Sequence, residues 1–199
     1  MPSPRVRPSA SIPLAEVWAD IRRVADRLGV PERGVQLVTR LSARVEAVAG
    51  RVARPAVRTP VACLSGLDPP VAAGGWIAEL VALAGGVDVL AAAANWPRAL
   101  EPGDLQRAAP DVLILAPTGA DLQAALAAAR RFMANARGSA LPAARCERVY
   151  AADGRSCFGR PGPQLAETLE VIAEILHPDA FRFGHEGRLW ERLPTGTDR

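Results

Sequence analysis

The first part of the chain carries apolar residues at helical spacing. Between residues 13 and 28 they recur three or four positions apart, so that a helix would gather them on one face. These residues are Leu14, Val17, Trp18, Ile21, Val24, Ala25 and Leu28. Gly29 ends the pattern, and Pro31 begins a second one that reaches Gly50. We therefore predict a long linker helix pair over 13–54, preceded by an extended Pro-, Ser- and Arg-rich segment at 1–12.

From residue 60 onward, short unbroken apolar runs alternate with helical patterns. Such runs are typical of strands that are buried on both faces. Predicted strands occupy 61–65, 87–90, 111–117 and 148–151, and predicted helices occupy 76–84, 101–108, 121–136 and 163–176. Because the two element types alternate, we predict an α/β fold, a three-layer Rossmann-like lobe with a mostly parallel sheet over 60–180. A polar tail over 184–199 follows the lobe.

The stretch 61–76, VACLSGLDPPVAAGGW, indicates a binding surface. It predicts a buried strand, a Gly- and Pro-rich loop over 66–75, and a helix that begins at Trp76. A second loop over 153–162 contains Phe158. Ligands of open α/β sheets bind outside the carboxyl ends of the strands, so we expect both loops to meet at one rim, at corners without a hairpin. Asp68 either starts a turn or touches a ligand, and Arg160 either binds an anion or fixes its loop.

Composition and charge narrow the class of protein. The 199 residues carry a formal charge of +3, and every basic residue other than the two histidines is arginine. These arginines are not interleaved with aromatic residues, so no nucleic-acid partner is predicted. No apolar run approaches the roughly 20 residues that a membrane span needs. The chain also begins without a signal-peptide pattern, so we expect it, as written, to stay in the cytoplasm.

The sequence contains no recognisable catalytic or metal-binding constellation. Phosphate-binding, nucleophile-elbow and zinc-protease motifs are all missing from it. Cys63 lies in a predicted strand and is expected to be an inert core residue, whereas the spacing of Cys146 and Cys157 leaves open whether they meet. The two histidines stand far from any cysteine pair. We predict no catalytic residue, no metal site, no catalytic cofactor and no enzyme activity.

The order of several short motifs resembles one family. The chain is similar to the helical-backbone (class III) substrate-binding proteins of ABC importers, of the cobalamin (vitamin B12) and iron-siderophore type. The resemblance covers about Ile12 to Pro178. It rests on Leu67-Asp68-Pro69-Pro70 with Gly74-Gly75-Trp76, Glu79-Leu80-Val81, Ala84-Gly85-Gly86, Pro110-Asp111-Val112-Leu113, Arg148-Val149-Tyr150-Ala151 and Phe158-Gly159-Arg160-Pro161-Gly162-Pro163.

This resemblance implies a binding role for the two loops. Members of the family hold ligand between two α/β lobes, and this chain would correspond to the linker helix and the C-terminal lobe alone. The implied ligand is cobalamin or another metal chelate, held without covalent chemistry. The implied ligand-binding residues are Gly66, Leu67, Asp68, Pro69, Pro70, Gly74, Gly75, Trp76, Trp96, Phe158 and Arg160.

The resemblance also implies partners and a location. The partners are the permease subunits of an ABC transporter, together with a missing first lobe or a second copy of this chain. The implied location is extracytoplasmic, whereas the chain as written is expected to stay in the cytoplasm. Two alternatives stay open: a small-molecule enzyme on an α/β scaffold, and a truncated remnant that binds nothing by itself.

Overall fold

The computed structural model describes residues 14–52, 58–90, 98–134 and 141–194. It begins with the predicted helix pair, α1 (Leu14–Arg27) and α2 (Pro31–Arg51). Gly29 turns the chain between them with a φ of 70°. The helices cross closely at Gly34, where an added Cβ would lie 2.5 Å from the Cβ of Ala25. A larger residue at this position would therefore force the pair apart.

The predicted strands and helices recur in the lobe, together with short elements that the sequence did not predict. The strands are β1 (Thr59–Leu67), β2 (Pro70–Ala72), β3 (Gly86–Asp88), β4 (Arg98–Ala99), β5 (Val112–Leu115), β6 (Val149–Ala152) and β7 (Trp190–Arg192). The helices after the pair are α3 (Trp76–Leu83), α4 (Asp104–Ala108), α5 (Leu122–Ala134), α6 (Pro142–Arg145) and α7 (Leu165–Leu176). The α/β class is therefore confirmed.

One mixed sheet organises the lobe. The strands follow the order β4-β2-β1-β5-β6-β7, and β3 also pairs with β1. The central pairs β1–β5, β5–β6 and β1–β3 are parallel, whereas β1–β2, β2–β4 and β6–β7 are antiparallel. Because β3 pairs with the first residues of β1 and β2 with its last ones, the two strands share one edge of β1.

Helices cover both faces of the sheet and produce two apolar clusters. One cluster joins the α1–α2 pair, α3 and α7 to the sheet through residues such as Val61, Ile114 and Ile172. The other joins α4, α5 and α6 to the opposite face through residues such as Leu64 and Leu113. Alternate residues of β1 and β5 therefore point to different clusters, which makes these strands apolar throughout.

The first predicted loop differs from its prediction. Residues 66–75 contain β2, which pairs with β1 in an antiparallel hairpin, so the expectation of a hairpin-free corner at Pro69 is wrong. The apolar run of Val61 to Leu64 gave no sign of this, because β2 has only three residues and begins at a proline. The register shifts between Leu64 and Gly66, which leaves Ser65 in a bulge at the end of the strand.

The C-terminal residues join the lobe. Residues 190–192 pair with β6, and Trp190 is buried against Tyr150 with ring centroids 5.6 Å apart. The predicted boundary at 180 leaves this strand out. Glu174 on α7 fixes the segment, because its carboxylate accepts the Trp190 Nε1–H at 2.7 Å and the backbone N–H of Gly184 at 2.8 Å.

Several predictions concern residues outside the described part. They include the extended segment at 1–12, most of the linker after α2, and the placement of Trp96. Within the described part, Cys63, Cys146 and Cys157 are free thiols, so the possible Cys146–Cys157 pair is not formed.

Candidate functional site

The carboxyl ends of β1, β5 and β6 lie side by side and are joined by backbone hydrogen bonds. The Thr118 N–H donates to the Ser65 carbonyl at 2.9 Å, which links the end of β5 to the end of β1. The Gly119 N–H donates to the Gly154 carbonyl at 3.2 Å, which links β5 to β6. The two predicted loops therefore lie along a single edge of the sheet, which we call the carboxyl rim.

Glycine allows the chain to pack tightly at this rim. A Cβ on Gly154 would lie 2.0 Å from the Pro117 carbonyl oxygen, and a Cβ on Gly159 would lie 2.2 Å from the Gly154 carbonyl oxygen. Both obstacles are backbone atoms, which cannot rotate away. The loop after β6 is therefore held directly against the end of β5.

Charged side chains fix the same loop. The buried Asp153 carboxylate accepts the backbone N–H groups of Arg155 at 2.9 Å and Ser156 at 2.7 Å. The Arg155 side chain donates to the Gly119 carbonyl at 3.1 Å and to the Asp121 carboxylate at 3.2 Å. Arg155, rather than Arg160, thus provides the side chain that joins this loop to the segment after β5.

The β1–β2 hairpin projects from the rim. At its tip Asp68 and Pro69 are exposed, while Leu67 and Pro70 are half-buried. The chain then passes through Gly74 and Gly75 into α3, and both glycines have a positive φ, 59° and 57°. A side chain at either position would be strained, so these two glycines are needed for the turn into the helix.

Two shallow grooves flank the hairpin tip. One has a volume of about 340 Å³ and is lined by residues 68–70, the segment 100–106 and Phe132 of α5. The other has a volume of about 330 Å³ and is lined by Leu67, Asp68, Pro117, Ala128, Arg131 and Phe132. Asp68 and Phe132 belong to both, so the grooves adjoin. Their walls offer proline and phenylalanine surface with charge from Asp68, Glu101 and Arg131.

The predicted site residues separate into groups in the structure. Leu67, Asp68, Pro69 and Pro70 line the grooves, and Gly66 stands just before them in β1. Gly74, Gly75 and Trp76 form the turn into α3, and Trp76 is half-buried against the cluster shared with α1 and α7.

The second loop presents less side-chain surface than the sequence suggests. Phe158 is only 7% exposed and packs into the core, while Arg160 is exposed and its carbonyl accepts the Gln164 side-chain amide at 2.7 Å. The assignment of Phe158 and Arg160 to a ligand surface remains a prediction.

Sequence reasoning missed three residues at this edge. Arg131 and Phe132 lie at the end of the alanine-rich helix α5, and Arg155 follows the Asp153-Gly154 turn. The signal for the first two was available, since they are large residues in a helix whose other positions are mostly alanine. The role of Arg155 depends on a contact with residues more than thirty positions earlier, which the sequence does not show.

The described residues offer little reactive chemistry. They contain no group of three or more His, Cys, Asp or Glu side chains that could hold a metal ion. Burial raises the pKa of the Cys157 thiol to about 12 and also raises the pKa of Cys63, so neither thiol is a ready nucleophile. None of the described helices is long and apolar enough to span a membrane.

The match to a known family agrees with this arrangement. Residues 4–155, more than half of the chain, match the periplasmic binding protein family. The chain therefore belongs to that family, and the resemblance to the class III substrate-binding proteins of ABC importers is confirmed at this level. Family members bind substrates for transport, and they are typically extracytoplasmic. No curated protein matches the chain.

Solved structures share the fold. An ABC transporter substrate-binding protein from Listeria monocytogenes EGD-e is 23% identical, with a TM-score of 0.73 over 83% of this chain and 65% of its own. A structure described as an ABC-type Fe3+-hydroxamate transport system from Saccharomonospora viridis DSM 43017 is 23% identical, with a TM-score of 0.73 over 87% of this chain and 60% of its own. The periplasmic heme-binding protein RhuT from Roseiflexus sp. RS-1 is 26% identical, with a TM-score of 0.67 over 84% and 64%.

The chain spans less than two thirds of the length of each of these structures. What the whole proteins do is therefore proposed for this chain rather than transferred to it.

Proposed function

We propose that this chain is one ligand-binding lobe of an ABC-importer substrate-binding protein. The single observation that carries the proposal is the position of the β1–β2 hairpin tip. It is exposed at the carboxyl rim, between two grooves, in a fold whose ligands lie at that edge. The family match over residues 4–155 supports the same role.

The ligand that we propose is a large metal chelate, cobalamin-like in the first instance. Similar structures include a heme-binding protein and an Fe3+-hydroxamate transport system, and heme and ferric hydroxamates are both iron chelates. The proposed contacts are backbone and proline surface of residues 66–70, with Arg131 and Phe132 beside them. Gly74, Gly75, Trp76, Trp96, Phe158 and Arg160 remain proposed members of the surface. Binding is non-covalent, and no reaction step is assigned to any residue.

The remainder of the cleft and the partners are also proposals. A first lobe would supply the opposite wall, and permease subunits would receive the ligand outside the cytoplasm. One wall provides only part of the affinity. A complete site with nanomolar affinity corresponds to about −12 kcal/mol, and half of this free energy corresponds to a Kd of roughly tens of micromolar.

A calorimetric titration of the chain with cyanocobalamin, hemin and ferric desferrioxamine tests the proposal. We expect one of these chelates to bind with a Kd of roughly tens of micromolar. Asp68→Trp should weaken that binding at least about tenfold, because the bulky new ring obstructs the grooves on either side of the hairpin tip. Val87→Trp is the matched control, since Val87 is 42% exposed on β3, which pairs with the opposite, amino-terminal end of β1.

The outcomes separate the parts of the proposal. Saturable binding that Asp68→Trp and Val87→Trp change equally would overturn the placement of the site. Binding tighter than about 1 μM would overturn the idea of a half-site. No binding of any of the three chelates would favour the truncated remnant.

A further inference from the structure

Exposed apolar side chains concentrate on the helix pair at the start of the described chain. Val24 is 56% exposed, Leu28 is 72% exposed and Val35 is 53% exposed. Val24 and Leu28 line a groove of about 420 Å³ between α1, α2 and the loop residues 161–163. Its walls are almost entirely apolar, with Asp20 and Arg33 as the charged residues among them. Patches of this kind mark interaction surfaces.

The groove follows a coiled-coil pattern along α1. Val17, Ile21, Val24 and Leu28 are spaced alternately four and three residues apart, which is the spacing of a heptad seam. Leu28 continues the helix, because its N–H donates to the Val24 carbonyl at 3.1 Å. The seam runs from Val17, which is 4% exposed at the inner end of the groove, to the largely exposed Leu28.

Charges beside the seam indicate which partner fits. Asp20 and Arg27 flank it on the same side, seven residues apart, and both are exposed. Asp20 also pairs with Arg23 of its own helix at the surface. If a second α1 is laid antiparallel along the seam, Asp20 of each copy comes beside Arg27 of the other. In a two-fold interface each contact occurs twice, so the two copies form two Asp20–Arg27 pairs of opposite charge.

We propose that α1 pairs antiparallel with α1 of a second copy of this chain. Leu28 of each copy then enters the groove of the other, opposite Val17, while Ile21 and Val24 meet at the centre. The proposal does not depend on the ligand of the carboxyl rim. The contact is small, since α1 has 14 residues and is about 21 Å long. Standard interfaces bury roughly 800 Å² per partner, so we expect a weak dimer with a Kd of about micromolar order.

Sedimentation equilibrium of the 199-residue chain over about a hundredfold range of concentration measures this association. We expect a reversible monomer–dimer equilibrium. Val24→Glu combined with Leu28→Glu should leave only monomer, with an unchanged far-ultraviolet circular dichroism spectrum because both side chains are already exposed. A chain that is monomeric over the whole range would overturn the proposal.

A charge exchange tests the orientation. Asp20→Arg alone and Arg27→Asp alone should each weaken dimerisation by about tenfold or more, because each places like charges together twice. The double variant should restore association, because the pairs are then reversed. Asp26→Arg is the matched control, with the same change of charge at an exposed position on the other side of α1. Equal effects of Asp20→Arg and Asp26→Arg, or a double variant that does not recover, would overturn the antiparallel pairing.

Discussion

At the scale of single residues, the carboxyl rim depends on two positions, Gly154 and Gly75, that cannot carry a side chain. Gly154 has an ordinary φ, so its identity is set by the Pro117 carbonyl rather than by backbone conformation. At Gly75 it is the backbone conformation that requires glycine, because a φ of 57° disfavours any side chain. A glycine in the sequence does not reveal which reason applies, because the first depends on a strand more than thirty residues away.

Gly154→Ala should destabilise the protein by about 1–3 kcal/mol, because the new methyl group must displace backbone at the end of β5. The free energy of unfolding in urea measures the loss. Gly50→Ala is the control, because a Cβ at Gly50 meets nothing within 4 Å in the last part of α2. That variant should be neutral or more stable by up to about 1 kcal/mol. Equal stability of both variants would contradict the close approach at Pro117.

At the scale of elements, α7 fastens the helix pair and the C-terminal segment to the lobe. The Glu170 carboxylate accepts the Arg44 guanidinium at 2.8 and 2.6 Å and the His185 Nε2 at 2.9 Å. His185 Nδ1 lies 2.7 Å from the Arg188 guanidinium, which can only donate. His185 Nδ1 therefore accepts a hydrogen bond from Arg188, and the Nε2–H donates to Glu170. One buried carboxylate thus joins three elements that are distant in sequence.

Glu170 should make stability depend on pH. Burial by itself would raise the pKa of Glu170, but the hydrogen bonds from Arg44 and His185 outweigh burial and lower it. A lowered pKa in the folded state adds stability above the ordinary glutamate range, and this stability is lost as the pH falls through the folded pKa. Glu170→Gln should therefore cost about 1–3 kcal/mol at neutral pH, and the cost should shrink only at pH values below the ordinary glutamate range.

Urea unfolding of both proteins at several pH values measures that difference. Glu167→Gln serves as the control, because Glu167 is 30% exposed and its pair with Arg188 is at the surface, where such pairs contribute up to about 1 kcal/mol. A Glu170→Gln cost that stays constant down to about pH 3 would show that the ionised carboxylate is not what stabilises the fold.

The sequence predicted elements whose signal is local. The helix pair and the strands around Val61, Ile114 and Tyr150 follow directly from apolar spacing. It did not predict β2, β4 or β7, since two- and three-residue strands carry no periodicity and form only because a longer strand provides their hydrogen bonds. The rim was predicted from topology, whereas the groove walls at Arg131 and Phe132 depend on tertiary packing.

At the scale of the whole molecule, the thiols report on the integrity of the apolar cluster shared by the α1–α2 pair, α3 and α7, which contains both Cys63 and Cys157. Cys63 and Cys157 are buried and Cys146 is exposed. Only Cys146 should react quickly with Ellman's reagent in the native protein, and all three should react in denaturant. Cys146→Ser should abolish the fast phase while leaving the slow one. Two fast-reacting thiols in the native protein would contradict the packing of the loop after β6.

Within the described residues, both edges of the sheet end in very short strands. β4 has two residues, and β3 and β7 have three each. Long unpaired edge strands can pair with strands of other molecules and start fibrils. Edge strands of two or three residues offer too few backbone hydrogen bonds for such pairing. At high protein concentration, the folded lobe should therefore not form cross-β fibrils through its sheet edges. Association between folded molecules should instead occur through the helix pair.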